Sequence, residues 1–324
     1  MSAKDKFWRK KKVLITGHEG FLGSWLTNAL SEYGADICGL DKTLGRPLSV
    51  LNGNSKRITA IKGDVANFKL VKTIILQFRP QIIFHLAAEA IVGESLRNPV
   101  RTFRTNINGT WNILEASREN GGVEAIVVAS SDKAYGTHKN LPYKEDVALR
   151  GEHPYDVSKS CTDLLCQTYY KTYTLPVCIT RCGNIYGPGD YHFSRLVPDA
   201  IRSTLSNKQF VIRSNGKFTR DYIFVKDIVD GYILLAQKLQ ALELSGEAFN
   251  FSNEEPMSVL DLHEKILGII GKKHLKPRVL DQARFEIPHQ YLCSRKACEI
   301  LGWKGRYSLE KGLKETIEWY REHV

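Results

Sequence analysis

The sequence predicts an α/β protein: a doubly wound parallel sheet followed by a smaller, mixed α/β region. Three observations predict it. Six apolar runs of four to six residues, rich in Val and Ile, recur up to about residue 181. Amphipathic segments separate them, and the first run leads straight into a glycine-rich turn that opens a helix. Short runs without polar alternation are the mark of parallel strands buried on both faces. Strand–helix alternation with right-handed crossovers then stacks helices on both sides of the sheet.

The elements follow in order. Lys12–Thr16 is the first strand, and Thr16-Gly17-His18-Glu19-Gly20-Phe21-Leu22-Gly23 leads into a helix over Phe21–Tyr33. Gly17, Gly20 and Gly23 permit a tight turn, a close backbone approach to a pyrophosphate and close helix–strand packing, and the helix N-terminus favours phosphate. The second strand, Asp36–Leu40, ends at Asp41, whose carboxylate can bind an adenosine ribose and repel a 2′-phosphate; this favours NAD over NADP, with Lys42 pulling the other way. Ile58–Ile61 is the third strand, and Asp64 after it is placed to meet an adenine amino group. A helix over Leu70–Phe78 leads to Gln81–His85, with His85 as a core residue at the strand end. A helix over Val100–Asn120 leads to the fifth strand, Ala125–Ser130. Tyr155–Tyr170 is helical, and Val177–Arg181 is the sixth strand.

Beyond residue 183 the pattern loosens. Helices are expected over Leu196–Leu205, Val225–Leu239, Val259–Ile270 and Leu309–Arg321, with strands near Phe210–Arg213 and Asp221–Phe224. The division expected is a cofactor domain over 1–183 and a substrate domain over 184–324.

Lys+Arg outnumber Asp+Glu by 46 to 35, a net charge of +11. That excess suits a polyanionic partner, whether nucleic acid, anionic membrane or small phosphorylated molecules, and equally suits a solvated basic surface. No RNP-like aromatic motif, zinc finger or recognition-helix motif supports nucleic acid. No apolar stretch approaches the roughly 18 residues of a membrane span, and the polar N-terminus lacks a signal-peptide core. A cytoplasmic protein is therefore expected. Seven scattered cysteines (38, 161, 166, 178, 182, 293 and 298) without CxxC or CxxH spacing read as reduced thiols, with no metal site.

Oxidising an alcohol with a nicotinamide requires a base for the hydroxyl proton. Tyrosine, with a pKa of about 10, needs a nearby cation for that work, and a lysine one helical turn away supplies it. Tyr-x-x-x-Lys occurs four times, at 135/139, 155/159, 222/226 and 307/311. The first spans Gly136, the third starts on a strand, and the fourth opens the last helix, far from the cofactor strands. Tyr155/Lys159 alone is a helical pair within the strand–helix alternation. The fifth strand opens into Ser131-Asp132-Lys133, and carboxyl ends of strands line the ligand crevice of a doubly wound sheet.

At this point the chain resembles the extended short-chain dehydrogenase/reductase superfamily, with its Rossmann cofactor domain, and within it the nucleotide-sugar 4,6-dehydratases. TGHEGFLG, HLAAEA (85–90), TNINGT (105–110), SSDKAYG (130–136), PYDVSK (154–159), RCGNIYGPGD (181–190) and TRDYIFVKD (219–227) follow the family's order. The resemblance implies a Ser131/Tyr155/Lys159 triad. It implies NAD contacts from Gly17, Gly20, Phe21, Leu22, Gly23, Asp41, Lys42, Asp64, Val65, Leu86, Ala87 and Ala88, besides Tyr155 and Lys159. It implies nucleotide-sugar contacts from Glu89, Ser95, Asn184, Arg195, Leu196 and Arg220, with Arg220 on the diphosphate. It also implies a chain that crosses back between domains near 222–252, and a homodimer paired through helices 100–120 and 155–170. Asp132-Lys133 is similar to the CDP-glucose 4,6-dehydratases, whereas TRDYIFV is closer to enzymes of dTDP- and UDP-sugars; a CDP- or GDP-sugar is favoured.

The implied reaction converts an NDP-hexose to an NDP-4-keto-6-deoxyhexose. Tyr155 takes the C4 hydroxyl proton, Ser131 hydrogen-bonds the forming ketone, and Asp132 protonates the departing C6 hydroxyl. For the C5 proton two options stay open. Lys133 is the base, although an amine of pKa about 10.4 is mostly protonated at neutrality; or Lys133 positions Asp132 and the base is Tyr155 or water. Competing readings are a 4-epimerase, C4 oxidoreductase or decarboxylase, which need no acid at 132, and a non-catalytic dinucleotide-binding module.

Overall fold

The computed structural model describes residues 3–47, 49–51 and 58–324. The chain forms two compact units. The first comprises Met1–Gly136, Glu145–Arg181 and Val229–Phe249; the second comprises Thr137–Lys144, Cys182–Ile228 and Asn250–Val324.

The first unit is built on a seven-stranded sheet ordered β3-β2-β1-β4-β5-β6-β11, from β1 (Lys12–Thr16), β2 (Asp36–Asp41), β3 (Ile58–Lys62), β4 (Ile82–His85), β5 (Ala125–Ala129), β6 (Val177–Cys182) and β11 (Ala248–Phe251). The order reverses between β1 and β4, the switch point at which doubly wound sheets bind ligands. Pairing is parallel, with Val13 set between Ile37 and Ile82. Leu14, Leu40, Ile83, Ile126, Val128 and Ile179 pack on one face, against α3 (Phe68–Phe78), α6 (Gly109–Asn120) and α7 (Pro154–Tyr173). Alternate residues such as Val13, Ile15, Ile37, Phe84 and Val127 are equally buried on the other face. Burial on both sides is why these strands carry no polar alternation. Helix starts obey local chemistry: the Asn67 side chain accepts the Leu70 N–H to open α3, and Pro154 sits in the first turn of α7.

The structure departs from the sequence reading in several places. The expected helix over 100–120 is α5 (Pro99–Phe103), a π-helical turn over Arg104–Asn108, and α6. The widened turn frees the Asn106 carbonyl, which accepts hydroxyls from Thr110 (2.6 Å) and Thr162 (3.3 Å). The fifth strand stops at Ala129, and Asp132–Tyr135 is a 3-10 turn. Helices α1 (Ala3–Trp8) and α4 (Val92–Arg97) and the seventh strand were not expected. Tyr307 lies outside the last helix, which Ser308 caps at Leu309.

In the second unit α8 (Leu196–Leu205), α10 (Val259–Ile270) and α11 (Leu309–His323) enclose Tyr186, Ile201, Phe224, Leu262, Leu313 and Tyr320. Its strands are short: β7 (Asn184–Tyr186) with β10 (Tyr222–Phe224), β9 (Thr219–Arg220) between β12 (Met257–Ser258) and β14 (His289–Gln290), and β8 (Val211–Ile212) with β13 (Arg278–Val279). Asp227, in the first turn of α9 (Val225–Lys238), anchors the approach to α11 by accepting the N–H groups of Arg306 (2.9 Å) and Tyr307 (3.1 Å). The seven cysteines are free; Cys298 is exposed, Cys161 half-buried and the other five buried. Among the described residues no helix is long and apolar enough to cross a membrane.

Candidate active site

The phosphate loop lies where β1 gives way to α2 (Phe21–Glu32). Gly17 has φ +75°, and a Cβ there would stand 2.9 Å from the backbone of Ala87, beyond β4. A Cβ on Gly23 would run into the Gly17 carbonyl. Both glycines are thus required by close backbone approach, which leaves the helix N-terminus open to an anion. His18, unremarked in the sequence, is buried in the loop with its ring against Gly39. Burial lowers its pKa.

Asp41, at the end of β2, is nearly buried. It accepts the N–H of Glu19 (3.2 Å), the N–H of Thr43 (3.0 Å) and the guanidinium of Arg46 (3.2 Å). Lys42 reaches Asp64 and Glu89 (3.5 Å each) and donates to Thr105 (3.1 Å). Its charge is therefore matched by carboxylates. A glycine cradle beside these acids fits a dinucleotide with a free 2′-hydroxyl. The Val65 side chain packs in the core against Gly109, and its carbonyl accepts from Asn112 (2.8 Å). Leu86 and Ala87 are held by Thr16, through N–H bonds of 3.1 and 3.3 Å to its carbonyl and hydroxyl.

His85 ends β4 between the hydroxyls of Thr16 (2.8 Å) and Thr110 (3.2 Å). Burial, with the charge of Lys159 adding to it, drives its pKa down from 6.5 to about 3. The unfolded chain therefore takes up this proton first as the pH falls. Stability is full above pH 6.5 and is lost towards pH 3, at about 1.4 kcal/mol per pH unit. His85→Gln is expected to flatten that part of the profile, read by urea unfolding at stepped pH; an unchanged slope would assign the acid sensitivity elsewhere.

The reactive groups lie on the 3-10 turn and on α7. Ser131 caps the turn, accepting the Lys133 N–H (3.2 Å), and donates its hydroxyl to Asp132 Oδ1 (3.0 Å). Asp132 is 3% exposed, and its Oδ2 has no hydrogen-bond partner. A buried, unsatisfied carboxyl oxygen costs about 1–3 kcal/mol, and this one is available to accept or donate a hydrogen bond. On α7, Tyr155 and Lys159 lie one turn apart on the buried face. The Lys159 ammonium is 6.0 Å from the centre of the Tyr155 ring and donates to the Ala129 carbonyl (2.6 Å). One unit thus carries the triad, the 132–133 pair and the cofactor loop.

Sequence reasoning missed Asp156, beside Tyr155. It is buried, which raises its pKa, while Lys133 acts to lower it. Its place three residues into a helix opened by Pro154 was the available signal. Asn106 was also missed; it clamps the Glu89 backbone (2.8 and 3.2 Å) and bonds Ser158 (2.9 Å) on α7.

The sugar-nucleotide candidates fare unevenly. In the first unit, Glu89 pairs with Arg101 (2.9 Å) and Lys42. Ser95 is wholly buried and donates its hydroxyl to the Ile91 carbonyl of its own turn. Tyr135 is a buried packing residue whose hydroxyl accepts from Arg181. In the second unit, Asn184 is half-buried, in register with Tyr222. Arg195 is held by Asp190 (3.0 Å), and Leu196 begins α8, packed on the core. Arg220 is 8% exposed; one nitrogen donates to the carbonyls of Thr219 (2.9 Å) and Pro288 (3.1 Å), and among the described residues no carboxylate pairs with it. A buried guanidinium braced by carbonyls and lacking a counter-ion suits an anionic ligand.

The profile of the family described as GDP-mannose 4,6 dehydratase matches residues 14–316. The CDP-glucose 4,6-dehydratase of Salmonella typhimurium is 32% identical, over 98% of this chain and 92% of that protein. The structure of a dTDP-glucose 4,6-dehydratase from Streptomyces venezuelae, solved with NAD bound, superposes with a TM-score of 0.89 at 26% identity, covering 96% of this chain and 97% of that one. A UDP-glucose 4-epimerase from Thermotoga maritima superposes with a TM-score of 0.88 at 29% identity, covering 96% and 99%.

Proposed function

The chain belongs to the GDP-mannose 4,6-dehydratase family of NAD-dependent nucleotide-sugar enzymes, and from that premise we propose that it dehydrates an NDP-hexose to the NDP-4-keto-6-deoxyhexose, with CDP-glucose or a GDP-sugar as the favoured substrate. The observation that carries this reading is Asp132, a buried carboxyl with one oxygen unclaimed, next to the triad serine. Elimination of water needs such an acid, and epimerisation at C4 does not.

NAD, which the Gly17–Gly23 loop and Asp41 would hold, would supply a reversible hydride acceptor for C4 and donor for C6. The chain's own groups do the rest. Tyr155 accepts the C4 hydroxyl proton, with Lys159 holding the phenolate form in reach. Ser131 donates to the oxygen that becomes the ketone. The ketone acidifies C5–H, and Asp132 protonates the departing C6 oxygen. Lys133, in the field of Asp156, is read as orienting Asp132; with Tyr155 already holding the C4 proton, water takes the C5 proton, and a proton returns to C5 when C6 is reduced. Arg220 is assigned to the diphosphate, with Asn184, Arg195, Leu196 and Glu89 as further substrate contacts.

The test is incubation with CDP-, GDP-, UDP- and dTDP-hexoses and mass spectrometry for the loss of one water. A 4-epimerase is the second reading, motivated by the T. maritima similarity; it yields an isomer of unchanged mass. A homodimer is part of the proposal, because apolar side chains stand exposed on α5, α6 and α7: Val100 at 75%, Trp111 at 44% and Leu164 at 54%. Trp111→Glu is expected to convert a sedimenting dimer to monomer; a wild-type monomer at micromolar concentration would sink this assignment. A cytoplasmic location, consistent with the free thiols, belongs to the same proposal.

A further inference from the structure

Arg181, the penultimate residue of β6, is almost wholly buried, and so is its partner Asp163 on α7. The guanidinium gives two nitrogens to Asp163 Oδ1 (3.1 and 2.6 Å). Its third nitrogen donates to the Tyr135 hydroxyl (2.7 Å) and the Glu145 carbonyl (3.1 Å). The other carboxylate oxygen, Oδ2, accepts the hydroxyl of Ser130, which lies also 3.2 Å from the Lys159 carbonyl. Tyr135 is itself inaccessible to solvent.

A buried ion pair is a poor way to gain stability, since an apolar replacement of similar volume often does as well. What this pair offers is geometry. Ser130 and Tyr135 are the residues that bracket Ser131–Ala134, and the pair grips both. We propose that Arg181 and Asp163 are positioning residues that hold Asp132 and Lys133 on their short turn, with Tyr135 as the link. This rests on the dehydratase reading, because it assigns the network to the elimination step. Tyr155 and Lys159 are held mainly by the α7 backbone and by the Lys159 bond to Ala129, and they share with the network only the Ser130 hydroxyl, 3.2 Å from the Lys159 carbonyl. Loosening the turn should therefore displace the C6 acid while sparing oxidation at C4.

Tyr135→Phe tests this, since it deletes one hydroxyl and keeps the ring. On the holoenzyme with its accepted NDP-hexose, the expected result is a ten- to hundredfold lower rate of water loss, a size set by the roughly hundredfold cost of misplacing a group by about 1 Å. KM should be unchanged, and reduced nicotinamide should build up in absorbance during turnover. Arg181→Lys, which keeps the charge but loses the planar fork, should do the same. Amide hydrogen exchange provides a readout independent of any substrate: residues 132–135 should lose protection in Tyr135→Phe while 155–159 keep theirs. Unchanged exchange over 132–135 overturns the proposal. So does a rate that is unchanged or falls without reduced nicotinamide accumulating. If the wild type eliminates water from no NDP-hexose while the exchange result holds, the dehydratase reading fails and the bracing of the turn stands.

Discussion

Tyr155→Phe is expected to lower turnover by about a thousandfold, within the range removed with a general base, while leaving the fold and NAD binding intact. The ring of Tyr155 packs in the buried face of α7, and phenylalanine keeps it. What is lost is the single hydroxyl that must accept the C4 proton. Oxidation at C4 precedes every later step, so product and reduced nicotinamide should both fail to appear. This distinguishes the variant from one blocked later. If Tyr155→Phe retains more than about a tenth of the wild-type rate, a loss too small for a general base, the base lies elsewhere.

Asp132→Asn is expected to stop the reaction at the other end. An amide fills the same space and still meets Ser131, but it cannot protonate a departing hydroxyl. Product formation should fall about a hundred- to a thousandfold, and reduced nicotinamide should accumulate because oxidation at C4 is untouched. Thermal stability should change little: the amide replaces a buried carboxyl that already has one unpartnered oxygen, and neutralising such a group removes a desolvation cost. Full retention of water loss would remove Asp132 from the chemistry. Lys133→Ala completes the set: a lysine that only orients Asp132 leaves exchange of the C5 proton with solvent, whereas a lysine that is the base abolishes it.

Much of this site was legible in the sequence because its parts sit at fixed offsets from strong signals. Strands buried on both faces read as uninterrupted Val/Ile runs, and their carboxyl ends named the cofactor residues almost by position. The seventh strand escaped because Ala248–Phe251 has only four residues and includes Asn250, a fully buried amide that donates to the Tyr143 and Cys293 carbonyls. A polar residue within so short a run erases the apolar pattern, although its bonds make it a good core residue. The strands of the second unit are two or three residues long, too brief for any periodicity. Arg181 and Asp163 were hidden for another reason. Each looked like an ordinary charge, one ending a strand and one inside an amphipathic helix, and only the crossover between α7 and β6 brings them together.

The seventh strand also bears on how the protein can be made. The cofactor sheet ends with β11, so β6 remains an unpaired edge until the chain has been synthesised through Phe249. A fragment cut after residue 183 would retain every glycine and reactive side chain discussed for the first unit, yet would present Val177–Cys182 as an open strand edge able to pair with another molecule. On the ribosome the same edge is vulnerable during translation of the intervening segment, which makes this stretch of synthesis the natural point for chaperone protection. For anyone seeking an autonomous NAD-binding fragment, splicing Val229–Phe249 back onto the first unit is the more promising boundary.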